Sequence, residues 1–426
     1  MKITNYDNYL ASLKNYSESF DLETDKLVLD IIDNVRKKGD SAVYDYAKQF
    51  DKVDLDSLIV SQAEIELANQ TVSDNFKQAM QKAAKNINEF HEKQVEQSWY
   101  YHKPDGIMLG QQVTALDRVG VYVPGGKAAY PSTVLMNVLP AKIAGVAEIY
   151  MTTPPQADGS INPHILYAAS LAGVDRIYKI GGAQAVAAYA YGTESVIKVD
   201  KIVGPGNKFV ARAKKWVYGD VAIDMIAGPS EICVVADETA PAKYVAADLL
   251  SQAEHDEAAR AICITTQQSL ADEIKKEVTS QLKKLDRVDI AQASIDNHGV
   301  IIVVDALDKA FELVNEIAPE HLQLMVNNAT EALPQIKHAG AIFIGNHSPE
   351  PLGDYLAGPN HTLPTSGTAK FASPLGVYDF TKKSSVIRYS EAALNNASND
   401  IIEIATMEGL TGHANSIKLR QKKGDS

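Results

Sequence analysis

From Val119 onward, short apolar runs alternate with helix-length segments, and glycine turns join them. Val119-Gly-Val-Tyr-Val-Pro124 is a strand-like run closed by Gly125-Gly126. The pattern then predicts a helix over 132–144, a strand over 148–152, a helix over 164–172 and a strand over 176–180 ending at Gly181-Gly182. A helix over 183–191, a strand over 195–203 and the turn Gly204-Pro-Gly-Asn207 follow. Strands separated by helices of this length pair side by side in parallel, so an α/β class is required and all-α or antiparallel sandwich folds are excluded. A local repeat fits the same scheme. Ala144-Gly145-Val146 with Ile149-Tyr150 recurs 28 residues on as Ala172-Gly173-Val174 with Ile177-Tyr178. A helix that stops at glycine and drops into a strand produces that recurrence.

A second α/β stretch spans about 230–375, with strands predicted at 231–236, 261–266, 300–304, 322–326 and 341–344. Helices are predicted near 241–255, 269–285, 306–317 and 328–338. Residues 1–98 read as helical. Thr24 or Asp25 can cap a helix carrying Val28, Ile31, Ile32 and Val35, and a second starts near Ser73 with one stripe of Phe76, Met80, Ala83, Ile87 and Phe90. From about 376 the chain reads as a small separate element, with a polar segment at 395–400 and two short helices near Gly409 and Gly412.

Composition narrows the functional classes. The chain's 426 residues carry 41 Lys and Arg against 54 Asp and Glu, a net charge of −13. A nucleic-acid partner needs a basic face, and the basic run here is a short tail, Lys418, Arg420, Lys422 and Lys423. The N-terminus lacks an apolar leader and the longest aliphatic run, 300–304, is too short for a bilayer, so no membrane role and a cytoplasmic location are expected. Two cysteines, Cys233 and Cys263, each within an apolar run, exclude a disulfide scaffold and a thiolate zinc knuckle and read as buried structural thiols.

Several polar groups interrupt this apolar framework. Ser251-Gln-Ala-Glu-His255 ends a helix whose apolar face, Val245 and Leu249, continues into Gln252 and His255. Polar groups on an inward stripe need a partner. A metal ion gripped at i, i+3 is one partner; a solvated helix end is the alternative. Ala318-Pro-Glu-His321 could supply two proton-transfer groups, or be a surface loop. Leu352-Gly-Asp354 and Gly358-Pro-Asn-His361 put a carboxylate and an imidazole in one Gly- and Pro-rich loop, which suits a metal site or an ordinary turn. Met407-Glu-Gly-Leu-Thr-Gly-His413 offers Glu408 and His413. The other histidines (91, 102, 164, 298, 338 and 347) read as solvated. The three glycine turns sit at strand ends, where open α/β sheets bind ligands, but none matches the dinucleotide fingerprint, since Phe209 stands at its last glycine.

Taken in order, these motifs resemble the histidinol dehydrogenase family. The resemblance also rests on Ser132-Thr-Val-Leu-Met136, Gly181-Gly-Ala-Gln-Ala185 and Ala227-Gly-Pro-Ser-Glu231, and it covers nearly the whole chain. It implies a zinc- and NAD-dependent four-electron oxidation of L-histidinol to L-histidine via L-histidinaldehyde, the last step of histidine biosynthesis. It implies one Zn2+ per subunit held by Gln252, His255, Asp354 and His413, with Glu320 and His321 as the catalytic acid/base pair. Substrate contacts would be Ser230, Gln252, His255, His321, Asp354, His361, Glu408 and His413; NAD contacts would be Tyr122, Gln184 and Asn207. The implied fold is two Rossmann-like, aldehyde-dehydrogenase-like α/β domains in a domain-swapped homodimer. Their bounds would be an N-terminal arm at 1–18, a first domain from 19–121 plus 230–375, an inserted domain at 122–229 and a C-terminal element at 376–426. That element would reach into the partner's site.

Overall fold

The computed structural model describes residues 1–14, 21–125 and 129–421. Gly126 of the first glycine pair and the tail residues Lys422 and Lys423 lie outside these. The chain divides into two compact units, Met1–Gln94 with Leu116–Phe380, and Val95–Ala115 with Thr381–Ser426.

The first unit holds two wholly parallel sheets. One runs Arg176–Lys179, Glu148–Thr153, Arg118–Tyr122, Lys201–Val203, Ala222–Ile223 across its width. The other runs Lys2–Asn5, Val300–Val303, Arg260–Thr265, Glu231–Ala236, His321–Met325, Ala341–Ile344. Helices cover both faces, so strands such as Glu231–Ala236 are buried at every position, as parallel sheets require. The expected alternation is therefore present. The 28-residue recurrence is a pair of helix ends, Pro131–Ala144 and Pro163–Ala172, each stopped by a left-handed glycine, Gly145 and Gly173.

The helices before residue 92 form from caps and stripes. Ser73 caps Asp74–His91, whose Met80, Ala83 and Ile87 are buried. For Leu22–Lys38 the cap is Asp21, which accepts the Thr24 N–H at 3.0 Å, rather than Thr24 or Asp25; both of those lie inside the helix, buried. These helices pack on the helices of the five-stranded sheet: Leu22–Lys38 on Gly182–Tyr191 and Lys208–Val217, Asp74–His91 on Pro131–Ala144. The resemblance groups residues 19–121 with 230–375, whereas the contacts of these two helices run to 122–229. The boundary at 121 also cuts strand Arg118–Tyr122, whose partners all belong to the five-stranded sheet. The terminal arm contributes an edge strand, Lys2–Asn5, to the six-stranded sheet. The second unit is an antiparallel sheet, Thr381–Arg388, Ile107–Ala115, Trp99–Lys103, with helices Glu391–Met407 and Thr411–Lys418. The polar run at 395–400 is helix interior. No described helix is long and apolar enough to cross a membrane.

In the five-stranded sheet the chain starts at Arg118–Tyr122 and winds first to one side and then to the other. The strand order therefore reverses between Arg118–Tyr122 and Lys201–Val203, and the crevice at such a reversal is where α/β sheets hold ligands. Gly204 closes that crevice's floor. Its φ is +107°, and a Cβ there would lie 2.1 Å from the Tyr122 carbonyl oxygen. Its N–H donates to Asp224 Oδ2 at 2.8 Å, its carbonyl accepts from Lys214 Nζ at 3.0 Å, and Lys214 and Asp224 form a buried ion pair. Gly204→Ala is expected to destabilise the chain by about 1–3 kcal/mol from backbone strain alone, and to displace Tyr122. A denaturation midpoint lowered relative to the parent, followed by circular dichroism, checks this.

Candidate active site

Two groups of polar residues stand out. The first lies at the reversal crevice. Tyr122 ends its strand fully buried, and its hydroxyl accepts the Gly182 N–H at 3.1 Å. Gln184 is buried in the first turn of Gly182–Tyr191, and its Oε1 has no hydrogen-bond partner. Asn207 caps Lys208–Val217, accepting from the N–H groups of Phe209 and Val210. The positive dipole ends of the two helices that start here suit an anionic group such as a pyrophosphate.

The second group lies at the amino-terminal end of the six-stranded sheet. Carboxyl ends are the usual location for ligands; at the carboxyl end of strand Glu231–Ala236, Asp237 accepts from the N–H groups of Thr239 and Asn327. At the amino end, the strand start His321 is buried, and its Nδ1 bonds the Glu231 carbonyl at 2.9 Å. A carbonyl only accepts, so Nδ1 carries the hydrogen and Nε2 keeps a lone pair. That Nε2 has no hydrogen-bond partner and faces Glu350 Oε1 at 3.9 Å and Asp354 Oδ1 at 4.0 Å. Glu320, its neighbour, is buried and accepts the Glu231 N–H at 2.7 Å.

Glu350 and Asp354 both lie on the short helix Glu350–Tyr355. The Gly- and Pro-rich sequence predicts a loop at Asp354; the structure instead gives it a helical partner four positions back, which puts both carboxylates on one face. Glu350 carried no motif of its own and was missed; its i, i+4 spacing from Asp354 was the available signal. His361 Nδ1 lies 3.7 Å from Asp354 Oδ1. Its loop is tied to helix Pro131–Ala144, because Asn360 Nδ2 donates to the Met136 carbonyl and Asn137 Nδ2 to Thr362 Oγ1. Gln252 is buried on Ala242–Ala253, with Oε1 unpartnered. His255 follows just past the helix end and is close enough to interact electrostatically with His321 and His361. Ser230 immediately precedes Glu231 and is half-buried.

Electrostatics follow burial. Desolvation pushes the Glu320 carboxyl well above the ordinary range, and the nearby Glu231, Asp354 and Glu350 charges add to this. Glu350 is pushed up to about 9 by burial and by Asp354. Burial lowers His321 and His361, which keeps both imidazoles neutral near pH 7. Neutral imidazoles, crowded carboxylates and unpartnered buried atoms together describe a place for a cation. Atoms of His321, Glu350 and Asp354 lie within 4.8 Å of one another, and the nitrogen and oxygen donors here suit zinc or a similar divalent ion.

Glu408 and His413 belong to the second unit, exposed around the turn between its two helices. Cys233 and Cys263 sit buried in adjacent strands. Burial raises both thiols, Cys263 to about 12, so neither offers a thiolate for covalent chemistry. Among the histidines read as solvated, His91 is buried, its Nδ1 bonded to Gln94 Oε1 at 2.8 Å.

A crevice at the strand-order reversal of one parallel sheet and a buried acid–base and cation-type cluster at the end of the other are features of an α/β enzyme. Residues 14–421 match the family model described as histidinol dehydrogenase. The histidinol dehydrogenase of Oceanobacillus iheyensis is 55% identical over 404 residues, 95% of each chain. That of Bacillus thuringiensis is 59% identical over 393 residues, covering 92% of this chain and 91% of the relative. The crystal structure of histidinol dehydrogenase from Elizabethkingia anophelis superposes with a TM-score of 0.92 at 39% identity, covering 100% of this chain and 98% of that one. The chain belongs to the histidinol dehydrogenase family, and is therefore an oxidoreductase.

Proposed function

We propose that this enzyme oxidises L-histidinol to L-histidine via L-histidinaldehyde in two NAD-dependent steps, as a cytoplasmic homodimer with one zinc ion per subunit, at the end of histidine biosynthesis. The observation that carries this reading is that one residue, Glu231, holds two proton-transfer side chains beside a cation-ready cluster. Its main chain bonds Glu320 on one side and His321 on the other.

In this reading Gln252, His255 and Asp354, with His413, hold the zinc, which supplies a positively charged anchor for the substrate's imidazole and amine. Ser230, His361 and Glu408 complete the substrate contacts, and Tyr122, Gln184 and Asn207 hold the NAD that accepts each hydride. His321 removes the alcohol proton at Nε2 as hydride leaves the carbon. Its neutral state and fixed Nδ1 hydrogen suit a base. The aldehyde must then be hydrated before a second hydride can leave, and Glu320 takes the proton from the attacking water. Homodimer formation is supported by apolar surface on the second unit, where Ile387, Ile404, Met407 and Leu419 are exposed. The test is NADH formation from histidinol with and without a chelator. Chelator-sensitive NADH formation supports the reading. Its absence with histidinol, or metal-dependent hydrolysis without nucleotide, overturns it.

A further inference from the structure

The side chain of Glu231 has no part in the mechanism above, yet it is almost completely buried. Its Oε1 accepts from Arg260 Nη1 at 2.9 Å, and its Oε2 from the Ser366 N–H at 3.2 Å. Arg260 stands opposite Glu231 in the parallel ladder. Its own N–H donates to the Ser230 carbonyl at 2.9 Å, and its Nη2 to the Tyr9 hydroxyl at 3.2 Å. The carboxylate is thus gripped from the neighbouring strand and from the 366 turn, while the arginine is braced by Tyr9 of helix Tyr6–Lys14. A buried ion pair seldom adds net stability, because desolvating two charges costs about what their attraction returns. Its value must lie in geometry. Glu231 is the first residue of its strand, where the ladder restrains the backbone from one side only, and it is also the residue whose N–H and carbonyl orient Glu320 and His321.

We propose that the Arg260–Glu231 pair is a positioning device that sets both proton-transfer side chains at once. The proposal rests on the roles given above to Glu320 and His321. Misplacing a catalytic group by about 1 Å can cost on the order of 10²-fold in rate. Because the main chain of one residue holds both groups, the two half-reactions should fall together.

The test compares the zinc-loaded Arg260→Met, Arg260→Lys and Glu231→Gln/Arg260→Met enzymes, with histidinol and histidinaldehyde as separate substrates. The double variant leaves no unpaired buried charge. The expected result is a kcat loss of about tenfold to 10²-fold on both substrates, with the histidinol KM and bound zinc at parent levels, and partial recovery in Arg260→Lys. A double variant that melts like the parent and runs both half-reactions at parent rates overturns the proposal. So does slowing of one half-reaction alone, or a double variant that loses cooperative melting, which would make the pair a stability element. Glu320→Gln run alongside separates the two levels of inference. If it oxidises histidinaldehyde at the parent rate, the role of Glu320 fails. If it does not, and the pair variants stay fast, only the positioning claim fails.

Discussion

Glu320→Gln is expected to oxidise histidinol to the aldehyde but to lose the aldehyde-to-acid step by about 10²–10⁴-fold, the usual contribution of a general base. The substitution isolates chemistry from structure. The Gln carbonyl oxygen can still accept the Glu231 N–H that Glu320 Oε2 accepts at 2.7 Å, while the amide cannot take a proton from water. Melting and zinc content should therefore match the parent. The pH dependence sharpens the claim. Burial raises the Glu320 carboxyl, so the group is protonated and idle at low pH, and the second half-reaction should climb as pH rises through that raised value. Glu320→Gln should remove that limb of the profile. Histidinaldehyde oxidation by the variant at the parent rate, or an unchanged limb, would count against the assignment.

Asp354→Asn should abolish stoichiometric zinc. Asp354 is the carboxylate that approaches both His321 and His361. Residues that merely orient a ligand cost about 10–100-fold in metal affinity when lost, and a ligand should cost at least that. Elemental analysis after gel filtration reads it directly. A second signature distinguishes lost binding from a damaged fold. Without metal, Glu350 is pushed up to about 9 by burial and by Asp354, so it is protonated near pH 7, and the Asn carbonyl oxygen can accept from it where Asp354 does, leaving no buried charge unpaired. The metal-free variant should melt at or above the metal-free parent, and zinc should raise the melting temperature of the parent only. A variant that retains one zinc per chain, or melts well below the metal-free parent, contradicts this.

Much of the fold could be read in the chain. Ser73, the helix-ending glycines and the continuous apolar strands are local signals, and the structure agrees with them. Non-local features could not be read this way. Strand Lys2–Asn5 is four residues long, and its ladder partner lies near residue 300. Trp99–Lys103 is exposed at every position, so it has no alternation to detect. The active-site motifs were visible as polar interruptions of apolar patterns: Gln252 and His255 on a helix face, Glu320 and His321 before a strand. Their supports were not. Glu231 and Arg260 meet through strand register, and Glu350 joins Asp354 through a helix that its Pro- and Gly-containing sequence disguised as a loop. The amino-terminal placement of the site also ran against the general rule for open sheets.

The most direct measurement is the stoichiometry of the complete reaction. Purified zinc-loaded enzyme, given histidinol and excess NAD, should form two NADH for each histidine released, with little free aldehyde. One NADH per histidinol with aldehyde accumulating, or no histidinol-dependent NADH at all, would contradict the assignment of both oxidations to this one centre.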